Sequence, residues 1–132
     1  MEKLAQLLDP YEIEIFSKPR HNGAMSVLFP TVEWYDEYGY GPWYTPTGEP
    51  PYIVYNPSRM KELALDLGMG FEEVLYFAAA HEVGHVLQKE DGVFFGSEFQ
   101  VEEDAWSRAE KLVGPIPEEL RARALKSYVE EV

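Results

Sequence analysis

Apolar and polar positions change rhythm near residue 56. Before it they alternate in short bursts. After it apolar residues return every three or four positions. Tyr11-Glu12-Ile13-Glu14-Ile15-Phe16 alternates with period two and predicts a strand. Ala24 to Phe29, ended by Pro30, predicts a second, Val32 to Tyr35 a third and Tyr52 to Tyr55 a fourth. The stretch from Tyr38 to Pro51 is dense in Gly and Pro and predicts a loop. A short amphipathic helix over Glu2 to Leu8, stopped by Pro10, is expected to open the chain.

The second half predicts helices with recognisable ends. Asn56-Pro57 supplies an N-cap followed by proline at the first helical position, and Gly68 marks the stop. Glu72 and Glu73 open the next helix, where acids suit the positive end of the dipole. Lys89 falls in its last turn and Gly92 just beyond it. Ser97 with Gln100 three residues on matches a capping box, and Gly114-Pro115 ends the helix that follows. Pro117 begins a last helix through Leu125 or Tyr128. The fold class is therefore α+β. A single domain is expected over residues 1–132, with a small, mostly antiparallel sheet from 1–56 packed on a helical half from 57–132.

Composition narrows the chemistry. At 132 residues and 15.2 kDa the chain has room for one core without staples. It has no cysteine, which excludes disulfides, thiolate metal ligands and a cysteine nucleophile. The net charge of −13 repels phosphate backbones, so direct nucleic-acid binding is not expected. No apolar run approaches the roughly 20 residues of a membrane helix. The first ten residues lack a long apolar stretch of secretory type, and a cytoplasmic protein is expected.

The chemistry-bearing motif is His81-Glu82-Val83-Gly84-His85. Four residues make just over one helical turn, so both imidazoles project from one face and can converge on one metal ion. Glu82 is offset by one residue, where its carboxylate can reach a water held by the metal without ligating the metal itself. Zinc lowers that water's pKa towards neutrality, and the carboxylate takes its proton as the water attacks a carbonyl. The bland alternative is a pair of histidines satisfied by neighbouring carboxylates.

Two histidines leave the site incomplete, because a catalytic zinc takes three protein ligands and keeps one position open. The candidates for the third are Asp91, Glu98, Glu102, Glu103 and His21. On a wheel of about 100° per residue, Ala105, Trp106, Ala109 and Val113 fall within roughly 60° of Glu102. Glu102 thus heads the apolar stripe of its helix, and a carboxylate aimed at a core needs a partner or a metal. Glu103 shares its side with Ser107 and Glu110, a solvent face. Asp91 lies six residues after His85, a spacing that resembles the third ligand of metzincin-like enzymes. Those have Gly at the third position after the second His, where the helix breaks sharply, and here that position is Gln88. Asp91 ranks second, otherwise the start of an Asp-Gly turn, and His21 reads as a solvated loop residue.

Three segments resemble the ImmA/IrrE-like family of intracellular zinc peptidases, small zincins of the gluzincin type. Phe77-Ala78-Ala79-Ala80-His81-Glu82-Val83-Gly84-His85 resembles its signature helix. Glu102-Glu103-Asp104-Ala105-Trp106-Ser107-Arg108-Ala109 resembles its E-x-x-A-x-x-x-A helix, and Tyr52-Ile53-Val54-Tyr55-Asn56 resembles the strand before the metal helix. The resemblance covers roughly residues 52–113 and implies a minimal zincin-like fold, with zinc on His81, His85 and Glu102 and Glu82 as general base.

The expected function is a zinc-dependent metallopeptidase acting on a protein or peptide substrate. The alternatives are a catalytically silent zincin-fold regulator and a structural helical domain without metal. An extended peptide would dock along a sheet edge, for which Tyr52–Tyr55 is the candidate, with the tyrosine-rich stretch 35–44 as a cleft wall. Arg121, Arg123 and Lys126 concentrate three of the eleven bases near the C-terminus and read as a solvated helix end, with a weak partner face as the alternative.

Overall fold

The computed structural model describes residues 2–93 and 96–129. Its strands are β1 (Glu14–Ser17), β2 (Met25–Leu28), β3 (Thr31–Trp34), β4 (Trp43–Pro46) and β5 (Tyr52–Tyr55). Its helices are α1 (Glu2–Leu8), α2 (Pro57–Leu67), α3 (Phe71–Asp91), α4 (Glu98–Val113) and α5 (Glu118–Val129). The class is α+β, with all five helices and two small sheets among the described residues. One sheet has the order β1-β5-β2, and the other is the β3–β4 hairpin. Two of the three pairings are antiparallel; β1 and β5 run parallel, with Glu14 opposite Tyr52.

Three expectations change here. The first strand starts at Glu14, because residues 9–11 form a 3-10 turn and Glu12 takes a left-handed φ of 58°. The stretch expected as an unbroken loop contains β4. It escapes the pattern because Gly41, Pro42, Pro46 and Gly48 crowd a strand whose every residue is exposed, so turn residues surround it and no buried face imposes an alternation. Tyr52–Tyr55 is not an edge: β5 is the central strand, with Ile53 and Val54 buried, and the free edges belong to β1 and β2.

The helix boundaries follow their local chemistry. The Asn56 carboxamide oxygen accepts from the N–H groups of Ser58 (3.0 Å) and Arg59 (3.3 Å), capping α2. Its amide nitrogen donates to the carbonyls of Pro19 and His21, so one side chain fixes both a helix start and the loop after β1. Ser97 Oγ accepts from Gln100 N–H at the head of α4. The reciprocal bond of a capping box slips by one position: the Gln100 side chain accepts from Gly96 N–H. At the end of the chain, Arg121 donates to Glu110 and Ser107 and Arg123 to Asp66, so these two bases tie α5 to α4 and α2.

The long helix α3 organises the packing. It touches α1, α2, α4 and β2. Burial therefore goes almost round it, from Val74 and Leu75 through Ala79, Ala80 and Val83 to Val86. The core around it gathers Leu4, Leu8, Ile53, Met60, Trp106, Ile116, Leu120 and Leu125 from both ends of the chain.

The closest approach lies between α3 and α4. A Cβ on Gly84 would collide with the carbonyl oxygen of Ala105 and stand 3.1 Å from its Cα. The absence of a side chain at position 84 lets α4 lie against the histidine-bearing turn of α3. That contact carries Glu102, one turn before Ala105, to the two imidazoles.

Candidate metal centre

His81 and His85 stand one turn apart on α3, with ring centroids 4.6 Å apart. Glu102 faces them from α4. One carboxylate oxygen, Oε2, lies 3.2 Å from His81 Nε2 and 2.7 Å from His85 Nε2. These three residues form the one group of potential metal ligands among the described residues, with their ligating atoms all within 4.8 Å of one another. Donors around a tetrahedral zinc at about 2.0–2.1 Å are separated by about 3.3 Å, and the Glu102 oxygen lies close to that spacing from both nitrogens. Two imidazole nitrogens that meet one carboxylate oxygen need a hydrogen or a cation between the atoms, because bare lone pairs would repel.

Each ligand is held from behind. His81 stacks on the buried Trp106, with centroids 4.3 Å apart and planes 12° from parallel. His85 Nδ1 lies 2.9 Å from the Gln88 side-chain oxygen, which only accepts, so Nδ1 carries a hydrogen and Nε2, turned to Glu102, is the nitrogen that would bind a metal. Gln88 is itself fixed, since its amide nitrogen donates to Val101 O (2.7 Å) and Asp104 Oδ2 (2.9 Å). Arg108 then donates to Asp104 (2.7 Å) and to Asp91. A chain of charge and amide runs from Arg108 through Asp104 and Gln88 to His85, the kind of outer support that orients metal-binding histidines. Burial opposes ionisation of Asp104, but bonds from Gln88 and Arg108 outweigh it and lower its pKa.

Glu82 lies outside the ligand group. It is 7% exposed, lines the cleft beside His85 and Glu102, and accepts from Val27 N–H of β2 at 3.1 Å. Its other oxygen is 3.5 Å from His81 Nδ1. The cleft has a volume of about 560 Å³. Its walls are Met25, Val27 and Phe29 on one side, Glu82, His85 and Lys89 on the other, with Glu102 and Tyr128 at one end. The tyrosine-rich stretch 35–44 does not line it; β2 takes that place because it packs directly on α3.

The rival ligands lie elsewhere. Asp91 pairs with Arg108 because α3 continues unbroken through position 88 and carries it beyond the site. His21 bonds Ser26 Oγ at 2.9 Å. Glu103 is exposed, as its side of the wheel implies, and Glu98 sits in the first turn of α4.

Three contributors escaped the sequence reading. Gln88 carried a usable signal, a polar residue three positions after His85 on a largely buried helix. Tyr128 donates to Glu102 Oε1 at 3.1 Å and follows Leu120 and Ala124 at four-residue spacing, a stripe that faces inward. The Val27 N–H is a backbone group without any residue-type signal.

Without a metal, the charges compensate one another. Burial penalises charged His81, but hydrogen bonds with Glu102 and Glu82 and their negative charges outweigh it and raise its pKa to about 9. Burial likewise opposes ionised Glu102, and its bonds with His81 and His85 hold it well below the ordinary carboxylate range. Burial and the Glu102 charge push Tyr128 up to about 12.

Two outcomes follow. The His81 contribution to stability is complete below its unfolded value of 6.5 and is lost as pH rises through about 9. The melting temperature of the metal-free protein, held in chelator, is expected to fall between pH 6.5 and 9.5, and the fall should vanish in His81→Gln. A slope shared by both proteins would contradict the pairing. Zinc titration against a competing chromophore should show Glu102→Gln weakened by more than about 100-fold, beyond the usual cost of an outer-shell change. Asp91→Asn and Glu103→Gln should bind as the unaltered chain does; a loss confined to Asp91→Asn would move the third ligand there.

Comparisons with family models, curated proteins and solved structures return no match, so the reading of this centre rests on its own geometry and chemistry.

Proposed function

We propose that the chain is a zinc-dependent hydrolase of peptide bonds, a small zincin-like domain of the kind its sequence resembles. One observation carries this reading. Two imidazole Nε2 atoms and the Glu102 carboxylate converge at a cleft, with the carboxylate of Glu82 beside them but outside the ligand group. A set of two histidines and one glutamate suits zinc and is a known composition of catalytic zinc sites.

Zinc held there would supply a Lewis acid that polarises a scissile carbonyl and acidifies water. The remaining work falls to side chains. Glu82 is positioned as the general base, taking a proton from the attacking water and handing it to the leaving amine. The Val27 N–H bond fixes one of its oxygens, and the other lies 3.5 Å from His81 Nδ1, beside the candidate ligands. Tyr128 and Gln88 hold Glu102 and His85 in place. An extended substrate would run along β2, a free edge of the sheet whose Val27 N–H points to the site.

The Val27 bond also favours a second reading, a zinc-holding regulator that binds without cleaving, because a base engaged with backbone is partly restrained. Glu82→Gln separates the two. It should keep full zinc content and lose about 100-fold or more of peptide hydrolysis, read by mass spectrometry on a mixed peptide library. A zinc-loaded chain that leaves every peptide intact, or a variant as active as the parent, would overturn the hydrolase reading.

A further inference from the structure

Every strand residue of the β3–β4 hairpin is exposed. It displays Trp34, Tyr35, Tyr38, Tyr40, Trp43 and Tyr44 to solvent. The register separates them by face. Trp34 opposes Trp43, their rings 6.1 Å apart, and Glu33 opposes Tyr44. Tyr35 bonds back to Glu33 at 2.9 Å and so shares the face of Glu33 and Tyr44. One face is therefore an indole pair, and the other is a carboxylate between two tyrosines, each 62% exposed.

The charge around it has one sign. From His21 to Ser58 the sequence contains Glu33, Asp36, Glu37 and Glu49 and not one Lys or Arg. Asp36 is used internally, accepting from Tyr38 and Tyr40 N–H at the hairpin tip, while Glu33, Glu37 and Glu49 are exposed. Exposed aromatic rings beside unpaired carboxylates attract a cation through ring faces and charge together. A second copy is a poor occupant, because a two-fold contact through this hairpin would set its acids against their own copies. Nucleic acid and anionic membranes are repelled for the same reason.

The hairpin base is continuous with the metal cleft. A second hollow joins Pro46, Gly48 and Glu49 to Phe29 and Lys89, and Phe29 and Lys89 also line the cleft. Lys89 sits with its ammonium 3.8 Å over the Phe29 ring, and Glu49 and Glu90 line the same hollow, so the junction carries both signs of charge. A cationic side chain is therefore favoured beyond Lys89, out on the hairpin, where residues 21–58 place acids and no competing Lys or Arg.

We propose that the Glu33–Tyr35–Tyr44 face of the hairpin docks a basic segment of the protein substrate, holding it at a distance from the bond presented to the metal. The proposal rests on the hydrolase reading for the word substrate, and its test does not. Binding of fluorescein-labelled nona-arginine is measured by anisotropy on the full chain in chelator, so that no metal chemistry enters. Tyr35→Ser with Tyr44→Ser removes two exposed rings and no charge, and should weaken binding about tenfold. Glu118→Gln with Glu119→Gln removes two charges at the start of α5 and should leave binding within about twofold. Ring-deleted protein that binds as the parent does, or equal losses in both variants, would show general charge attraction only and overturn the docking site. A dimer in sedimentation velocity that the tyrosine substitutions dissolve would assign the face to a second copy and overturn it as well. Zinc binding that survives loss of the peptide, or the reverse, tells failure of this proposal from failure of the metal reading.

Discussion

A carboxylate set between two imidazoles is the constraint on which the rest of this structure depends. Glu102 and His81 are both largely withdrawn from water, and neither arrangement is tolerable alone. Each charge is stabilised by the other, or by a cation that replaces the shared proton. The fold brings them together through one close helix contact. Gly84 removes the side chain that would hold α4 away, Ala105 fills the gap, and Trp106 backs the His81 ring. Small residues and one large aromatic thus do on the packing level what the ligand set needs on the chemical level.

The support around the centre has a consistent direction. From Arg108 to Asp104 to Gln88 to His85, each group is oriented by the one behind it. Tyr128 performs a similar task for Glu102 from α5, and Val27 for Glu82 from β2. Elements distant in sequence, from residue 27 to residue 128, therefore converge on a pair of helical turns. Such a network fixes tautomer and ring orientation before any ion arrives, which is the condition for tight and selective metal binding.

How much of this was legible in the sequence depended on the range of the interaction. Caps and helix periodicity are local, so Asn56, Ser97 and the two helices carrying His81, His85 and Glu102 could be placed from residue type and spacing alone. Glu102 stood out because an acid at the head of an apolar stripe is costly without a partner. Asp91 was less favoured because no glycine breaks the helix at position 88, and α3 does run through it. What failed was long-range or unpatterned. The exposed strand β4 has no buried face to imprint an alternation. The central place of β5 depends on pairing with β1 and β2 at once. Tyr128 depends on the docking of α5 across α4, and a backbone N–H such as that of Val27 leaves no trace in residue identity.

The central claim is that these three side chains grip one ion together. X-ray absorption at the zinc edge, on protein reconstituted with one equivalent of zinc, reads the first shell directly. The account requires a shell of nitrogen and oxygen donors at about 2.0–2.1 Å with the outer-ring scattering of two imidazoles, reduced to one imidazole in His81→Ala. A shell of carboxylate and water oxygens without imidazole scattering, or a chain that retains no zinc after gel filtration, would contradict it.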